Sequence, residues 1–346
     1  MTPFAQRLKS ARKMKGWSLQ DLSDNLRVNL SKQAINKYEL GEMNPSSEVL
    51  LALAAALDVK PDYFLRDPVE LEAISFRKTS SLPSKEIERI TEIVRDHLER
   101  YLEVEQLLGI NTIFKSHIRA SKISKVEQVE KLAKELNEAW NLGHDPIPNV
   151  IDMLEEHGVK VIEIDAPDGF DGLSTWVGKI PVVVVNRQFT IERKRFTALN
   201  ELGHLIIPIA VEADEERICH AFAGAMLLPD GSLEKLLGEK RKNIAIGELV
   251  SIKEQFGVSV QAIMMRAQQK GIVDKTAVSK FWRTIGGNKK EIGLGEFKGN
   301  EKSYRFQHLV FRLAAEGVVS LSKAANLAGK KLAEFRDELS PGKNYK

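Results

Sequence analysis

The stretch from Arg193 to Pro229 reads RKRFTALNELGHLIIPIAVEADEERICHAFAGAMLLP, and the interpretation of the whole chain starts from it. Its centre, N-E-L-G-H at positions 200–204, is one residue away from the H-E-x-x-H zinc motif. In that motif two His ligands lie at i and i+4 on one face of a helix, and the Glu activates a metal-bound water. Here Asn200 replaces the first His, and Glu216 follows twelve residues after His204. Whether this stretch is catalytic therefore depends on Asn200.

The blocks RFTALNELGHLI and EERICHAFAGAMLLP, in this order, resemble the ImmA/IrrE family of metallopeptidase-like proteins. Members carry a helix with H-E-x-x-H and then a Glu ligand opening a second helix that ends in L-x-P. The resemblance covers residues 124–237 and implies a zincin-like α+β domain there. Carried over by position, it implies that Glu201 is the general base and that His204 and Glu216 are metal ligands.

Asn200 departs from the family pattern, because Asn offers only a neutral amide oxygen where zinc favours imidazole or thiolate. His220 lies one turn after Glu216 and is the alternative source of an imidazole. Zinc is therefore expected to be weakly bound or absent, and efficient peptide hydrolysis is not expected. The alternative interpretations are a hydrogen-bonded core His204 and a solvated acidic helix start at Glu216. Cys219 is predicted to be a small buried residue.

Length and composition place the chain among ordinary water-soluble proteins with two or three domains. It has 346 residues, 43% hydrophobic and 29% charged, and a net charge of +3, which is too small to indicate a partner. A single Cys excludes a disulfide framework and fits a reducing cytosol. No apolar run approaches the roughly 18 residues of a membrane helix, and the N-terminus lacks the apolar segment of a signal peptide. A cytoplasmic protein without membrane contact is expected.

Residues 1–66 are predicted to form a compact all-α domain. Ser18 and Ser31 each stand where an N-cap is needed, and Gly41 stands where the second of these helices must stop. The segments SLQDLSDNL, SKQAINKYELGEMNPS and LLALAAALDVKPDYFL resemble the Xre/Cro/C1 repressor family. The resemblance implies a lambda-repressor-like helix-turn-helix fold.

The same domain has the charge expected of a DNA-binding surface. Residues 1–40 carry eight Lys or Arg against three Asp or Glu, a bias that suits phosphate contact. In a helix-turn-helix the N-terminal residues of the second helix reach base edges. Double-stranded operator DNA is therefore the predicted partner, and a merely solvated basic face is the alternative. The predicted contact residues are Ser31, Lys32, Gln33, Asn36 and Lys37.

Residues 67–123 are predicted to be a linker followed by a long amphipathic helix over Glu86–Leu108. Apolar residues recur along this helix at alternating steps of three and four, as in a coiled coil. The seam predicts a homodimer, and packing of the helix on its own chain is the alternative.

The remainder is predicted as a small sheet followed by helices. Strands are expected over Val159–Ile164, Leu173–Val177 and Ile180–Val185, before a helix over Ile191–Ile206. Residues 238–346 are predicted to be a mostly helical C-terminal region, with an exposed loop over Trp282–Lys302 and a mobile tail.

Taken together, these patterns predict an α+β multidomain regulator with a DNA-binding domain and a degenerate metallopeptidase-like domain that senses a signal or binds a partner. Two alternatives stay open. One is an active zinc endopeptidase that cleaves a repressor protein, and the other is an antitoxin, a protein that neutralises a toxin by binding it. Stoichiometric zinc with proteolysis would favour the first alternative.

Overall fold

Two compact units make up the part of the chain that the structure, a computed structural model, describes. The described residues are 2–66, 82–110, 112–118, 121–167 and 169–339. Within these ranges the first unit contains residues 2–66, 82–110 and 305–339, and the second contains residues 112–304. Most of the linker predicted over Asp67–Lys85, and the tail predicted over 340–346, lie outside the described residues.

Four α-helices and a 3-10 turn open the first unit: α1 (Pro3–Met14), α2 (Leu19–Asp24), α3 (Lys32–Leu40), α4 (Ser47–Leu57) and the turn Pro61–Leu65. Each helix begins after a Ser or Thr whose side chain accepts a hydrogen bond from the first turn, as Ser31 does from the Ala34 N–H at 3.3 Å. Such a cap contributes about 1 kcal/mol and fixes the first residue of the helix. Gly41 ends α3 at φ +77°, a conformation that favours glycine.

One hydrophobic core holds these helices together. Its fully buried members come from every helix of the group: Leu8, Leu22, Ile35, Leu53 and Phe64. The compact all-α helix-turn-helix fold predicted from the sequence is confirmed. A longer helix, α5 (Ser84–Leu107), follows in the same unit.

The second unit is an α+β domain. Its helices before the sheet are α6 (Val129–Ala139) and α7 (Val150–Glu156), and its strands are β1 (Lys160–Ile164), β2 (Gly172–Val177) and β3 (Ile180–Asn186). After the sheet come α8 (Ile191–Ile206), α9 (Glu215–Leu227), α10 (Asp230–Leu237), α11 (Ile246–Phe256), α12 (Val260–Gln269) and α13 (Lys275–Ile285). The predicted zincin-like order of a small sheet followed by the motif helix is confirmed.

The three strands pair in the order β1-β3-β2. β3 runs parallel to β1 and antiparallel to β2, with Val183 opposite Val161 and Ser174. The central strand is buried from Pro181 to Asn186, and a nearly continuous apolar run of this kind suits a strand with neighbours on both sides. Within the described ranges β2 has no second partner strand and is therefore an edge strand of the sheet they form.

The last helices, α14 (Arg305–Ala315), α15 (Leu321–Leu327) and α16 (Leu332–Leu339), pack in the first unit with α5. The region predicted over 238–346 is thus divided after Tyr304, and the domain boundaries drawn from sequence stay predictions. Among the described helices, none combines the length and the apolar character needed to cross a bilayer.

The apolar seam of α5 is covered inside one chain. Ile90, Val94, Tyr101 and Val104 are all fully buried, since α5 packs against α1 and α14 of the same unit. The seam is therefore not the free surface from which the sequence predicted a homodimer. These residues fit the alternative interpretation, in which α5 packs on its own chain. Homodimerisation itself stays a prediction.

The exposed loop predicted over Trp282–Lys302 is wrong in two respects. Trp282 belongs to α13, and two carboxylates of the stretch, Glu291 and Glu301, are buried. Glu291 accepts from Lys253 at 2.9 Å and from backbone N–H groups at the start of α12. The partners of these carboxylates lie far away in the sequence, so composition alone does not reveal that the carboxylates are buried.

Candidate functional site

The first candidate site is the exposed face of α3. Lys32, Gln33, Asn36 and Lys37 are all exposed, and their spacing of one and four places them on one side of the helix. Ser31 is exposed too, but its hydroxyl is engaged by the Ala34 N–H as the helix cap. The structure thus places the five residues predicted to contact DNA together on the exposed side of α3, from its N-cap Ser31 to Lys37 in its last turn.

The opposite face of α3 is held rigidly. Ile35 and Tyr38 are buried, and the Tyr38 ring meets the edge of Phe4 with centroids 6.3 Å apart. Glu39 is also buried and accepts two hydrogen bonds from the Arg12 guanidinium, at 2.6 and 2.7 Å. A bidentate pair of this kind fixes orientation as well as position. The sequence does not reveal the pair of Arg12 with Glu39, because in the sequence Arg12 is only one of several basic residues.

The positive charges on and near this face have no acidic partner in the described part of the chain. Among the residues that the structure describes, no carboxylate lies within 4.0 Å of the side-chain nitrogens of Lys32, Lys37 or Arg27. These charges are therefore available to phosphate groups.

The second candidate site lies where α8 meets α9. Gly203 allows the close approach, because a Cβ at this position would lie only 3.2 Å from the Phe222 ring and 3.3 Å from Cys219. A larger residue would separate the helices. The glycine of N-E-L-G-H thus brings His204 against the start of α9.

His204 lies between two carboxylates of α9. Its Nδ1 is 2.8 Å from Glu215 Oε1, and its Nε2 is 3.3 Å from Glu216 Oε1. The side chain is only 5% exposed. Cys219 is fully buried, as predicted, with its Sγ 3.5 Å from His204 Nδ1. A carboxylate on one imidazole nitrogen is the usual partner that orients a metal-ligating His. The sequence gives no sign of this role for Glu215. Glu215 and Glu216 are neighbours of the same residue type on α9, and only their side-chain contacts with His204 distinguish them.

Glu201, the predicted general base, is paired with the sheet. The Ser174 hydroxyl donates to Glu201 Oε2 at 2.7 Å. Ser174 lies on β2, and nothing in its sequence surroundings indicates this partner. The contact joins α8 to β2, the edge strand of the described sheet.

Asn200 is buried, with 8% of its surface exposed, and its Oδ1 has no hydrogen-bond partner among the described residues. An unsatisfied buried amide oxygen is uncommon, since leaving it unpaired costs roughly 1–3 kcal/mol. It lies one helical turn before His204, at the position of the missing imidazole.

His220, the alternative imidazole, is largely outside this cluster. Its side chain is 57% exposed, its Nε2 is 3.8 Å from Glu216 Oε2, and its ring lies 5.5 Å from that of Phe196. Glu216 is the residue that His204 and His220 share.

The donor set does not fit a zinc ion. A catalytic zinc site needs three protein ligands, mostly imidazole, thiolate or carboxylate, and one open position. The structure brings together one imidazole and one carboxylate, His204 and Glu216, with the neutral amide of Asn200 beside them. Within the described ranges, no three or more His, Cys, Asp and Glu side chains are arranged to hold a metal ion.

A cleft of about 700 Å³ lies beside this cluster. Its polar lining is His204 and Glu215 with Ser174 and Thr175 of β2, and its apolar lining includes Trp176, Leu205, Ile207, Ile209 and Val211. The cleft thus combines apolar walls with convergent polar groups, the combination that a ligand-binding site requires.

Fold and sites together define a chain that combines a helix-turn-helix domain with a zincin-like domain whose motif has Asn200 at the place of the first His. Comparison with known families agrees with this class. Residues 8–64 match the family described as Helix-turn-helix, and residues 154–268 match the family described as IrrE N-terminal-like domain. The chain thus carries both domains that the sequence resemblances predicted. The second match extends through α11 into α12, beyond the boundary predicted at 237.

Individual relatives match over shorter stretches. The chain is 36% identical over 63 residues to the SPbeta prophage-derived uncharacterized HTH-type transcriptional regulator YonR of Bacillus subtilis. It is 35% identical over 63 residues to the uncharacterized HTH-type transcriptional regulator YqaE of the same organism. These matches cover 18% of this chain and 56% and 53% of the two relatives. It is also 39% identical over 56 residues to Multiprotein-bridging factor 1 of Schizosaccharomyces pombe, covering 16% of this chain and 36% of that protein.

A solved structure, described as a Mycobacterium tuberculosis transcriptional regulator, aligns over 49% of this chain and 51% of that one. The identity is 16% and the TM-score 0.30, a likeness too low to inform on fold or function.

Proposed function

We propose that this chain is a transcriptional regulator that binds operator DNA through α3. The observation that carries the proposal is the face of α3, where Lys32, Gln33, Asn36 and Lys37 are exposed together and the two lysines have no carboxylate partner among the described residues. Gln reads adenine through two hydrogen bonds, and Lys contacts guanine or phosphate. The similarity to helix-turn-helix regulators supports the same function.

Replacing Gln33 and Asn36 together by Ala is expected to weaken operator binding by roughly 1–3 kcal/mol for each base that these side chains read. Specificity should relax at the same base positions, while affinity for random DNA changes little. Binding titrations and footprinting on an operator selected from random DNA measure this. Gln106→Ala, an exposed Gln on α5, is the matched control. An unchanged footprint and affinity for the double variant would contradict the proposed face.

The zincin-like domain is proposed to hold an extended segment of a partner protein without cutting it. Two features support this proposal: β2 has no second partner strand among the described residues, and the adjoining cleft of about 700 Å³ has apolar as well as polar walls. An extended peptide can add to such an edge through backbone hydrogen bonds, with side-chain pockets giving selectivity. The absence of a fitting zinc ligand set in the described ranges favours holding over hydrolysis.

Peptides selected from a random library against the full chain are expected to bind at this cleft. Their affinity should fall at least about tenfold in Trp176→Asp, because a charge replaces an apolar cleft wall. Trp282→Asp is the control, since both Trp residues are exposed to a similar degree, 39% and 38%, in the same unit. Equal loss in both variants, or none in either, would contradict the cleft as the binding site. Cleavage of the peptides would favour the endopeptidase alternative.

A further inference from the structure

A strongly basic surface lies on the second unit. Residues 239–243 and 274–290 carry eight Lys or Arg against two Asp or Glu, whereas the chain as a whole carries a net charge of only +3. We name this the α13 surface. Its basic members that have no acidic partner among the described residues are Lys240, Lys242, Lys275, Lys280, Arg283, Lys289 and Lys290.

The two segments form one continuous surface. The Arg241 N–H donates to the Ile272 carbonyl at 2.7 Å, which holds the 239–243 segment beside the start of α13. Lys280 Nζ lies 3.4 Å from Asn243 Oδ1, which joins the middle of the helix to the same segment. At the other end, the Asn288 N–H donates to the Ile285 carbonyl, so Lys289 and Lys290 follow the helix directly.

One side of α13 is buried and apolar, and the basic residues of the helix are exposed. Ala277, Val278 and Phe281 are buried in the core of the second unit. Thr276, Ser279, Lys280 and Arg283 follow one another at the spacing of a single helical face and are all exposed. At 1.5 Å per residue, the positive charges from Lys275 to Arg283 extend over about 12 Å.

Most basic side chains of this surface have no acidic partner among the described residues. Some other basic side chains of the same unit do have one, as Lys194 has Glu163 at 2.7 Å and Arg266 has Glu130 at 2.7 Å. For the seven unpartnered members of the α13 surface, no carboxylate of the described residues lies within 4.0 Å. Arg241, which pairs with Glu248 at 3.1 Å, is the exception.

We propose that the α13 surface is a second DNA contact, made to the phosphate backbone without reading sequence. Duplex DNA carries one charge per about 1.7 Å of its axis, so a row of cations about 12 Å long faces several phosphates. Exposed Lys, Arg, Ser and Thr side chains are the groups that make such contacts. DNA is favoured over an acidic protein because α3 is the proposed DNA-reading element of the same chain, and the inference rests on that proposed function.

The test is the dependence of DNA affinity on salt, measured with the full chain and a random-sequence duplex of about 40 base pairs. Each phosphate contact contributes about 0.9 to the slope of log K against log salt concentration. Lys275→Gln, Lys280→Gln and Arg283→Gln combined should make the slope shallower by about 2 to 3. Lys131→Gln, Lys134→Gln and Lys179→Gln combined are the control, because they remove the same charge from exposed positions elsewhere in the unit. This control should keep the wild-type slope.

A third variant separates the two proposals. Lys32→Gln with Lys37→Gln should also make the slope shallower, by about 2 at most. If this variant shifts the slope and the α13 variant behaves like its control, the proposed function of α3 stands and the second contact is refuted. If neither variant changes the slope, both the proposed function of α3 and the second contact are refuted. Binding of polyglutamate that depends on the α13 surface, without any effect on DNA, would also refute the DNA contact.

A measurement on the unmodified chain guards against misfolded variants. Bound DNA should protect Lys275 and Lys280 from chemical acetylation, while Lys131 and Lys134 stay as reactive as in the free protein. Equal reactivity of Lys275 and Lys280 with and without DNA would overturn the proposal.

Discussion

Asn200→His is expected to convert a chain with substoichiometric zinc into one that retains about one equivalent. The gain in zinc affinity should be at least roughly 100-fold, because loss of even an outer partner of a ligating His costs 10–100-fold in metal affinity. Elemental analysis after dialysis gives the metal content, and competition with a chromophoric chelator gives the affinity. Neither readout depends on catalytic activity.

The physical reason is that two of the three protein ligands that a zinc site needs, His204 and Glu216, already lie together. Glu215 lies 2.8 Å from Nδ1 of His204, the arrangement that orients a ligating imidazole, and Glu216 lies 3.3 Å from Nε2. Position 200 is one turn earlier on the same helix, and its Oδ1 has no partner among the described residues. A second imidazole there would complete three protein ligands.

Four further variants make the outcome interpretable. His204→Ala in the Asn200→His background should lose the metal, and Glu201→Gln should keep it. Glu215→Ala should weaken zinc by about 10–100-fold if Glu215 acts only by orienting His204. A full zinc complement in the wild type that disappears in His220→Ala would instead support His220 as the third ligand. Peptide cleavage by that wild type, abolished in Glu201→Gln, would mean that the domain is a working enzyme.

Glu301→Ala is expected to destabilise the second unit by about 3–5 kcal/mol, the usual cost of removing one partner of a buried ion pair. The side chains of Glu301 and Arg195 are completely buried, with Glu301 Oε2 2.8 Å from Arg195 Nη1. Burial raises the pKa of Glu301 and lowers that of Arg195, so each charge is unfavourable without the other. Glu301 also accepts from the Ile151 N–H at 2.7 Å.

Loss of the carboxylate would leave the guanidinium in an environment that satisfies it only in part. Arg195 donates to the carbonyls of Ile147 and Phe256, at 2.8 and 3.2 Å, and lies over the Phe297 ring. These neutral partners do not replace the opposite charge. Since Arg195 lies in α8, the same helix as His204, the strain should reach the candidate site as well.

Urea unfolding followed by tryptophan fluorescence measures the effect. Three of the four Trp residues lie in the second unit, so a Trp17→Phe background reports on that unit. Asp165→Ala is the control, because it removes one partner of an exposed pair with Arg187, which should be worth at most about 1 kcal/mol.

A double variant tests whether the cost comes from the unpaired charge. Arg195→Met combined with Glu301→Leu removes both charges and keeps apolar volume, so it should recover most of the stability that Glu301→Ala loses. A loss below about 1 kcal/mol for Glu301→Ala alone would contradict the argument, because an unpaired buried guanidinium should cost several times as much.

Local sequence patterns predicted the helices and strands well, because the forces that set them act within a few residues. Ser31 and Gly41 mark the first and last turns of α3, and the structure gives its range as Lys32–Leu40, as predicted. The range predicted for α8 is also the one observed. Capping and helical periodicity do not depend on distant parts of the chain.

The candidate site was predictable only in part. The sequence indicates the region of the site: helix spacing places Glu201 and His204 on one face, and the family resemblance implies that Glu216 belongs with them. It does not indicate that Ser174 meets Glu201 or that Glu215 is nearer to His204 than Glu216 is. Those contacts depend on how α8 packs on β2 and on α9, and Gly203 sets the second of these distances.

The sequence by itself determined the two domain types, the face of α3 that is exposed, and the missing imidazole at Asn200. Only the tertiary structure decided that the α5 seam is covered within one chain and that Glu301 is buried against Arg195, 106 residues away along the chain. The reason is physical: an apolar seam or a charged residue has the same local pattern whether it is covered by its own chain, by a partner or by water. Burial is a property of what packs on a residue, and that is fixed by contacts between distant segments.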